Sequence, residues 1–234
     1  MASLVAFLDM LGSQESVRSG RFHRWDTIEF ANPVGIAANS NPDMQFAVFS
    51  DSVVISSPLP AVDRFVAVIS YLLGNWFCES ILARGGVALG EIDWVDHPVV
   101  DGHFRALTNF RYARVYGSAL VEAVELERSS GPGAICFLSQ PAAQHIASAS
   151  ADYVLSGLTP MLVWADERGA NFLHHLLSGV LAREIQGTKY RHLAATVNFF
   201  EQTIALKRFV DPQLVDKMLG IRRPSNTALE PPTR

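Results

Sequence analysis

Two runs of strand-forming residues each enclose a single aspartate: Val5-Ala6-Phe7-Leu8-Asp9-Met10-Leu11-Gly12 and Phe46-Ala47-Val48-Phe49-Ser50-Asp51-Ser52-Val53-Val54-Ile55-Ser56. A carboxylate in such a run loses its hydration when the strand is buried, and an unpaired ion there is expensive. Two carboxylates on neighbouring strands become tolerable if they share a cation. That sharing is the core of a two-metal site for phosphoryl or nucleotidyl transfer. Taken singly, Asp9 also reads as a helix N-cap or turn residue, and Asp51 as a hairpin-turn aspartate. Both of those readings together leave the paired Phe/Val/Ile context without a reason.

Bulk composition permits a large core. Of 234 residues, 49% are hydrophobic and 18% charged, which suits one large domain or two small ones and excludes wholesale disorder. The net charge of −4 and a pI near 6.0 argue against a surface that coats nucleic acid. Cys78 and Cys136, the two cysteines, both lie in apolar surroundings and read as buried free thiols. There is no CxxC or Cys/His metal spacing. The N-terminus lacks a basic segment and carries Asp9 within its apolar stretch, so it does not read as a signal peptide. The longest apolar run, Phe65 to Phe77, is too short to span a bilayer. A cytosolic protein with no membrane partner is the expectation.

Along the chain, residues 2–10 read as a strand, 11–21 as a turn and short helix, and 22–43 as loop, on the strength of Asn32-Pro33 and Asn41-Pro42. Strands follow at 45–49 and 52–57, with Ser50-Asp51-Ser52 in a tight hairpin between them. Pro60 opens a helix reaching Leu82, with Val62, Phe65, Val66, Ile69, Leu72, Leu73 and Trp76 at three- and four-residue spacing. Arg84-Gly85-Gly86 ends it. A strand over 87–95, a turn and a further strand or irregular segment to Phe110, a helix over 117–129, strands at 134–138 and 161–165, and helices at 139–147, 172–185, 190–206 and 212–219 complete the reading. The tail from Arg222 carries three prolines and reads as disordered. The opening order β-α-β-β-α-β is that of an α+β, ferredoxin-like palm, here with extra C-terminal helices.

Several other residues bear on chemistry. Arg84 has the geometry for bidentate phosphate contacts, or supplies a charge to the end of a helix. Gly85 and Gly86 permit close backbone approach but form no P-loop, because the GKS/T ending is absent. Gly12 follows Asp9 at a turn whose N–H groups suit phosphate oxygens. Lys189 reads either as a phosphate contact or as a solvated helix lysine. His174-His175 lacks the spacing of a helical zinc pair.

Four segments, Phe7-Leu8-Asp9-Met10-Leu11-Gly12, Phe49-Ser50-Asp51-Ser52-Val53-Val54, Ala83-Arg84-Gly85-Gly86-Val87 with Gly90, and Tyr116-Gly117-Ser118-Ala119-Leu120-Val121-Glu122-Ala123-Val124-Glu125-Leu126-Glu127, occur in an order that resembles the class III nucleotidyl cyclases. More closely, the set resembles the bacterial pyrimidine cyclases of Pycsar antiphage defence. Lys189-Tyr190-Arg191-His192-Leu193-Ala194 with Asn198 is similar to their C-terminal helix. The resemblance implies a catalytic domain over 1–170, a helical extension over 171–220 and a tail over 221–234. It implies a homodimer with sites between facing palms, and two Mg²⁺ or Mn²⁺ ions held by Asp9, Asp51 and the Met10 carbonyl. Leu11, Gly12, Phe49, Arg114 and Lys189 would contact the nucleotide, with Arg84 catalytic. The implied reaction turns UTP, or CTP, into the 3′,5′-cyclic monophosphate and pyrophosphate, as an infection signal read by a separate effector.

Departures from the purine members are specific. Where they carry an Asn and an Arg on the helix after the glycine, alignment on Gly117 gives Val121 and Glu125. Where adenine-selective relatives carry a Lys and an Asp, this chain has Ala47 and Arg114. Either Arg84, Arg114 and Lys189 take over the transition-state role, or the chain is a degenerate nucleotide-binding or dimerisation module. A purine cyclase with unusual base recognition is the third alternative.

Overall fold

The computed structural model describes residues 2–18, 20, 24–79, 81–95, 115–165 and 188–210. The expected helices at 172–185 and 212–219, the tail, the segment to Phe110, His174-His175 and Arg114 lie outside these residues.

β1 (Ala2–Met10) is an interior strand, pairing antiparallel with β3 (Ser52–Pro58) on one side and β4 (Ala83–Glu91) on the other. β2 (Gln45–Phe49) forms a hairpin with β3, whose register Phe49↔Ser52 leaves Ser50-Asp51 as its two-residue loop. β4 also pairs in parallel with β7 (Cys136–Leu138), and β9 (Met161–Leu162) and β8 (Val154–Leu155) complete a sheet of order β2-β3-β1-β4-β7-β9-β8. The order β2-β3-β1-β4 is the ferredoxin-like arrangement expected from the sequence. β5 (Asp93–Trp94) and β6 (Val115–Tyr116) form a separate two-stranded ladder.

One face of the sheet carries the main core. Leu4, Ala6, Leu8 and Met10 alternate along β1 toward it, as a period of two requires. They meet α3 (Val62–Cys78), whose Phe65, Val66, Ile69, Leu72 and Trp76 are buried at helical spacing. Each such large side chain contributes about 1.5–3 kcal/mol on burial.

The expected loop over 22–43 is instead a helix, α2 (Arg24–Ser40), after a short α1 (Ser13–Arg18), with Pro33 inside it. An interior proline costs about 3 kcal/mol, and packing offsets it: Phe30, Val34 and Ala37 form a buried stripe at i, i+4 and i+7. Phe30 stacks on Trp76 at 4.3 Å, and the Trp76 indole N–H donates to the Phe30 carbonyl at 2.9 Å. Tertiary burial overrides the local proline signal.

The opposite face is covered by α4 (Ser118–Ser129), which lies close because the facing surfaces are small. A Cβ on Gly86 would stand 2.1 Å from the Ala123 carbonyl oxygen, and one on Gly90 would meet Ala119. Val5, Val54, Ala88, Ala119 and Ala123 form a thin second core there. α5 (Gln140–Ala149) and α6 (Thr188–Ala205) close the main-core side, with Phe200 edge-on to Trp164 at 5.0 Å. Cys136 is buried, and burial pushes its thiol pKa up, as expected of an inert structural cysteine.

Candidate active site

β1 runs nine residues as an unbroken strand and turns at Gly12, which takes a left-handed φ of +81°. Asp9 falls one residue before the strand's end. By alternation it points with Val5 and Phe7 to the α4 side, not into the main core. Its cross-strand partners are Ser52 on β3 and Arg84 on β4.

Asp51 reaches the same place from the β2–β3 hairpin. Ser50 adopts a positive φ of 49°, and the Met10 N–H donates to the Asp51 carbonyl at 2.8 Å, tying the hairpin turn to the end of β1. The Ser13 hydroxyl donates to Asp51 Oδ2 at 2.5 Å, which orients the carboxylate. Asp51 lies close enough for its charge to act on Asp9. The Asp9 carboxyl is pushed up to about 7, first by burial, then by the negative charges of Glu127 and Asp51, against the pull of Arg84 and Arg128. The fold thus brings the Asp51 turn to the strand end that carries Asp9.

Arg84 lies not at a helix end but inside β4, because the strand begins at Ala83 to keep register with β1. Its guanidinium faces Glu127 on α4: Nε donates to Glu127 Oε1 at 2.8 Å, Nη2 donates to the same oxygen, and Nη1 donates to the Gly131 carbonyl at 2.8 Å. Glu127 is only 3% exposed. Neither a helix-dipole role nor an open phosphate hook describes this residue as it stands, although two of its five N–H groups remain.

The remaining candidates divide. The Leu11 N–H donates to the Leu82 carbonyl at 2.7 Å. Phe49 packs half-buried against the Val5–Val54–Ala88 cluster beside the Asp51 turn. Ala47 lies on β2, two residues before Phe49 and paired with Val54. Val121 is 59% exposed, and Glu125, four residues on, shares that outward face of α4. Lys189 is in α6, but its side chain, like that of Cys78, lies outside the described residues.

Sequence reasoning missed Ser13 and Glu127. Glu127 carried a signal: Ala119, Ala123 and Glu127 recur every four residues, so the acid had to face the sheet. Ser13 carried none, since its partner is 38 residues away.

The oxygens present suit a hard divalent cation. Burial first, then the negative charges of Glu127 and Asp51, lets Asp9 hold a proton near neutral pH, and a bound cation would offset that cost of ionisation. Among the described residues there is no cage of three or more His, Cys, Asp or Glu. Mg²⁺ does not require one, since it takes one or two carboxylates with water and substrate phosphates. No described helix is long and apolar enough to cross a membrane.

No protein-family model matches the chain, and no curated protein matches it in sequence. Among solved structures, the chain is similar in path to the guanylyl cyclase Cya2, at 12% identity over 69% of this chain and 90% of that one, with a TM-score of 0.45. It is similar to the adenylyl cyclase CyaB from P. aeruginosa, at 15% identity over 69% and 91%, with a TM-score of 0.43. It is also similar to the guanylyl cyclase domain of the RhoGC fusion protein from the aquatic fungus Blastocladiella emersonii, at 15% identity over 69% and 94%, with a TM-score of 0.49. Likeness of this degree concerns the course of the chain and says nothing of substrate.

Proposed function

We propose that the chain is a nucleotidyl cyclase acting on a pyrimidine nucleoside triphosphate, UTP before CTP, with signalling in antiphage defence through a separate effector as its role. The observation that supports the enzymatic reading is that the Asp51 turn is tied to the strand end carrying Asp9, with the Asp51 charge acting on the Asp9 carboxyl. The pyrimidine preference rests on the sequence motifs and on Ala47, which has no polar group to read a purine edge.

In this reading Asp9 and Asp51 hold two Mg²⁺ or Mn²⁺ ions, with the Met10 carbonyl as a further oxygen. The ions supply neutralisation of the triphosphate and acidity at the ribose hydroxyl. Ser13 keeps Asp51 in its ligating orientation. Gly12, at the exposed turn, leaves room for phosphate, and Phe49 narrows the space for the base. Arg84, Arg114 and Lys189 contribute positive charge. The ribose 3′-oxygen attacks the α-phosphorus and gives up its proton to water. The bond from that phosphorus to the β-phosphoryl bridging oxygen breaks, and pyrophosphate leaves. A homodimer with the site between two palms completes the proposal.

A second reading has one observation in its favour. At positions 121 and 125 of α4, Val and Glu offer a transition state neither an amide nor a guanidinium, as suits a non-catalytic nucleotide-binding module. Incubating the protein with each of the four NTPs and Mn²⁺, with products read by mass spectrometry, separates the two. Cyclic UMP or cyclic CMP is the expected product. A cyclic purine overturns the specificity, and no cyclic product from any nucleotide overturns the enzyme.

A further inference from the structure

Arg84 and Asp9 are direct partners across the β1–β4 ladder, on the same face of the sheet. Opposite residues of an antiparallel pair have Cβ atoms about 4.5–5.5 Å apart, and opposite charges there pair by default. An Arg84–Asp9 ion pair would consume the carboxylate that the cation needs. That pair is not formed: the guanidinium is turned onto Glu127 and anchored at its other end by the Gly131 carbonyl.

The arrangement is built by neighbouring residues. Gly86, two positions along the same face of β4, lets α4 descend until only a hydrogen fits between strand and helix. The Ala119–Ala123–Glu127 repeat aims the third member at the sheet, and at this separation a glutamate reaches Arg84. Breaking such a buried pair leaves an uncompensated charge that seeks another partner, and the nearest carboxylate across the ladder is Asp9.

We infer that Glu127 is a positioning residue that sequesters Arg84 and so keeps Asp9 unpaired and available to a divalent cation. The inference rests on the reading of Asp9 and Asp51 as a cation site, but not on turnover. Glu127 binds nothing itself; it decides which carboxylate Arg84 neutralises.

The test is Mn²⁺ binding without nucleotide, followed by the paramagnetic resonance of free Mn²⁺. Glu127→Gln should weaken binding by about tenfold or more, the range seen when outer groups of a metal site are removed. The double variant Arg84→Gln/Glu127→Gln, which removes the competing cation as well, should return the affinity to near that of the unaltered protein. A purely structural role for Glu127 predicts no such rescue. Unchanged binding in Glu127→Gln, or a double variant no better than the single, overturns the inference. If Glu127→Gln fails to melt cooperatively, Arg84→Gln alone decides: affinity equal to or tighter than that of the unaltered protein supports sequestration, and weaker affinity overturns it. Mn²⁺ binding with no cyclic product from any nucleotide sinks the proposed enzyme and leaves this inference standing. No Mn²⁺ binding in the unaltered protein sinks both.

Discussion

Asp9 and Asp51, 42 residues apart in the chain, are joined at the backbone by a 2.8 Å hydrogen bond from Met10 N–H to the Asp51 carbonyl. The bond fixes the hairpin turn against the strand end and so sets how closely the carboxylates approach. The Asp51 charge then adds to the cost of ionising Asp9, after burial and Glu127.

That cost has a measurable sign. Asp9 is raised from 3.8 to about 7 in the folded state, so the fold holds this proton more tightly than the unfolded chain does. Its contribution to stability is fully present below about pH 4 and is lost as pH rises to about 7. The cation-free protein should therefore lose melting temperature across that window. Asp9→Asn should flatten the profile and be the more stable form at pH 8. Added Mn²⁺ should raise the melting temperature of the unaltered protein at pH 8 and leave Asp9→Asn unmoved. Thermal melts at a series of pH values check all three, and a profile unaffected by Asp9→Asn contradicts the assignment.

Activity should depend on both acids. Removing a group that merely supports a metal ligand costs about 10–100-fold, so Asp9→Asn or Asp51→Asn should cost at least about 100-fold in Mn²⁺-dependent product. Ser13→Ala should cost less and appear mainly as a higher Mn²⁺ requirement. Initial rates against Mn²⁺ concentration distinguish these; full turnover in either asparagine variant would remove the metal role.

Close packing at α4 gives a stability prediction. Gly86→Ala places a Cβ where the Ala123 carbonyl oxygen stands 2.1 Å away. The helix must shift, at about 1–3 kcal/mol for an overpacked contact. Urea unfolding should show that loss.

His192 ties α6 to the loop that holds Arg84. Its Nδ1 accepts from the Gly133 N–H at 3.0 Å, which requires a neutral ring. Burial, then the charges of Arg84 and Arg191, push its pKa down. A depressed histidine contributes stability above its unfolded value of 6.5 that is lost as pH falls through the folded one. Amide exchange at Gly133 should quicken, relative to the core of β1, as pH falls below 6.5 and the ring takes up its proton. His192→Gln should weaken that pH dependence.

The sequence made the strands and the two acids legible because their signals are local. Alternation put Asp9 in β1, and turn chemistry put Asp51 between β2 and β3. The helical stripe that buries Phe65, Ile69 and Trp76 was likewise written into spacing. What misled was Pro33, where a strong local breaker yields to packing of Phe30 on Trp76 from 46 residues away. Arg84 was recognised as important but not for its company. Its partner Glu127 is 43 positions on, and only the fold of α4 onto β4 brings them together. Leu11 shows the converse, a turn N–H that looks free in sequence and is taken by Leu82.

The order of strands has a dynamic consequence. Asp9 belongs to β1, hydrogen-bonded on both flanks, whereas Asp51 sits in the loop of a hairpin whose other arm, β2, has no second neighbour in the sheet among the described residues. Local opening begins at such rims and reaches a doubly flanked interior strand last. The two acids thus form a vice with one jaw bolted down and one on a hinge. Any ion gripped between them should quiet the hairpin's breathing, leaving β1 as still as before.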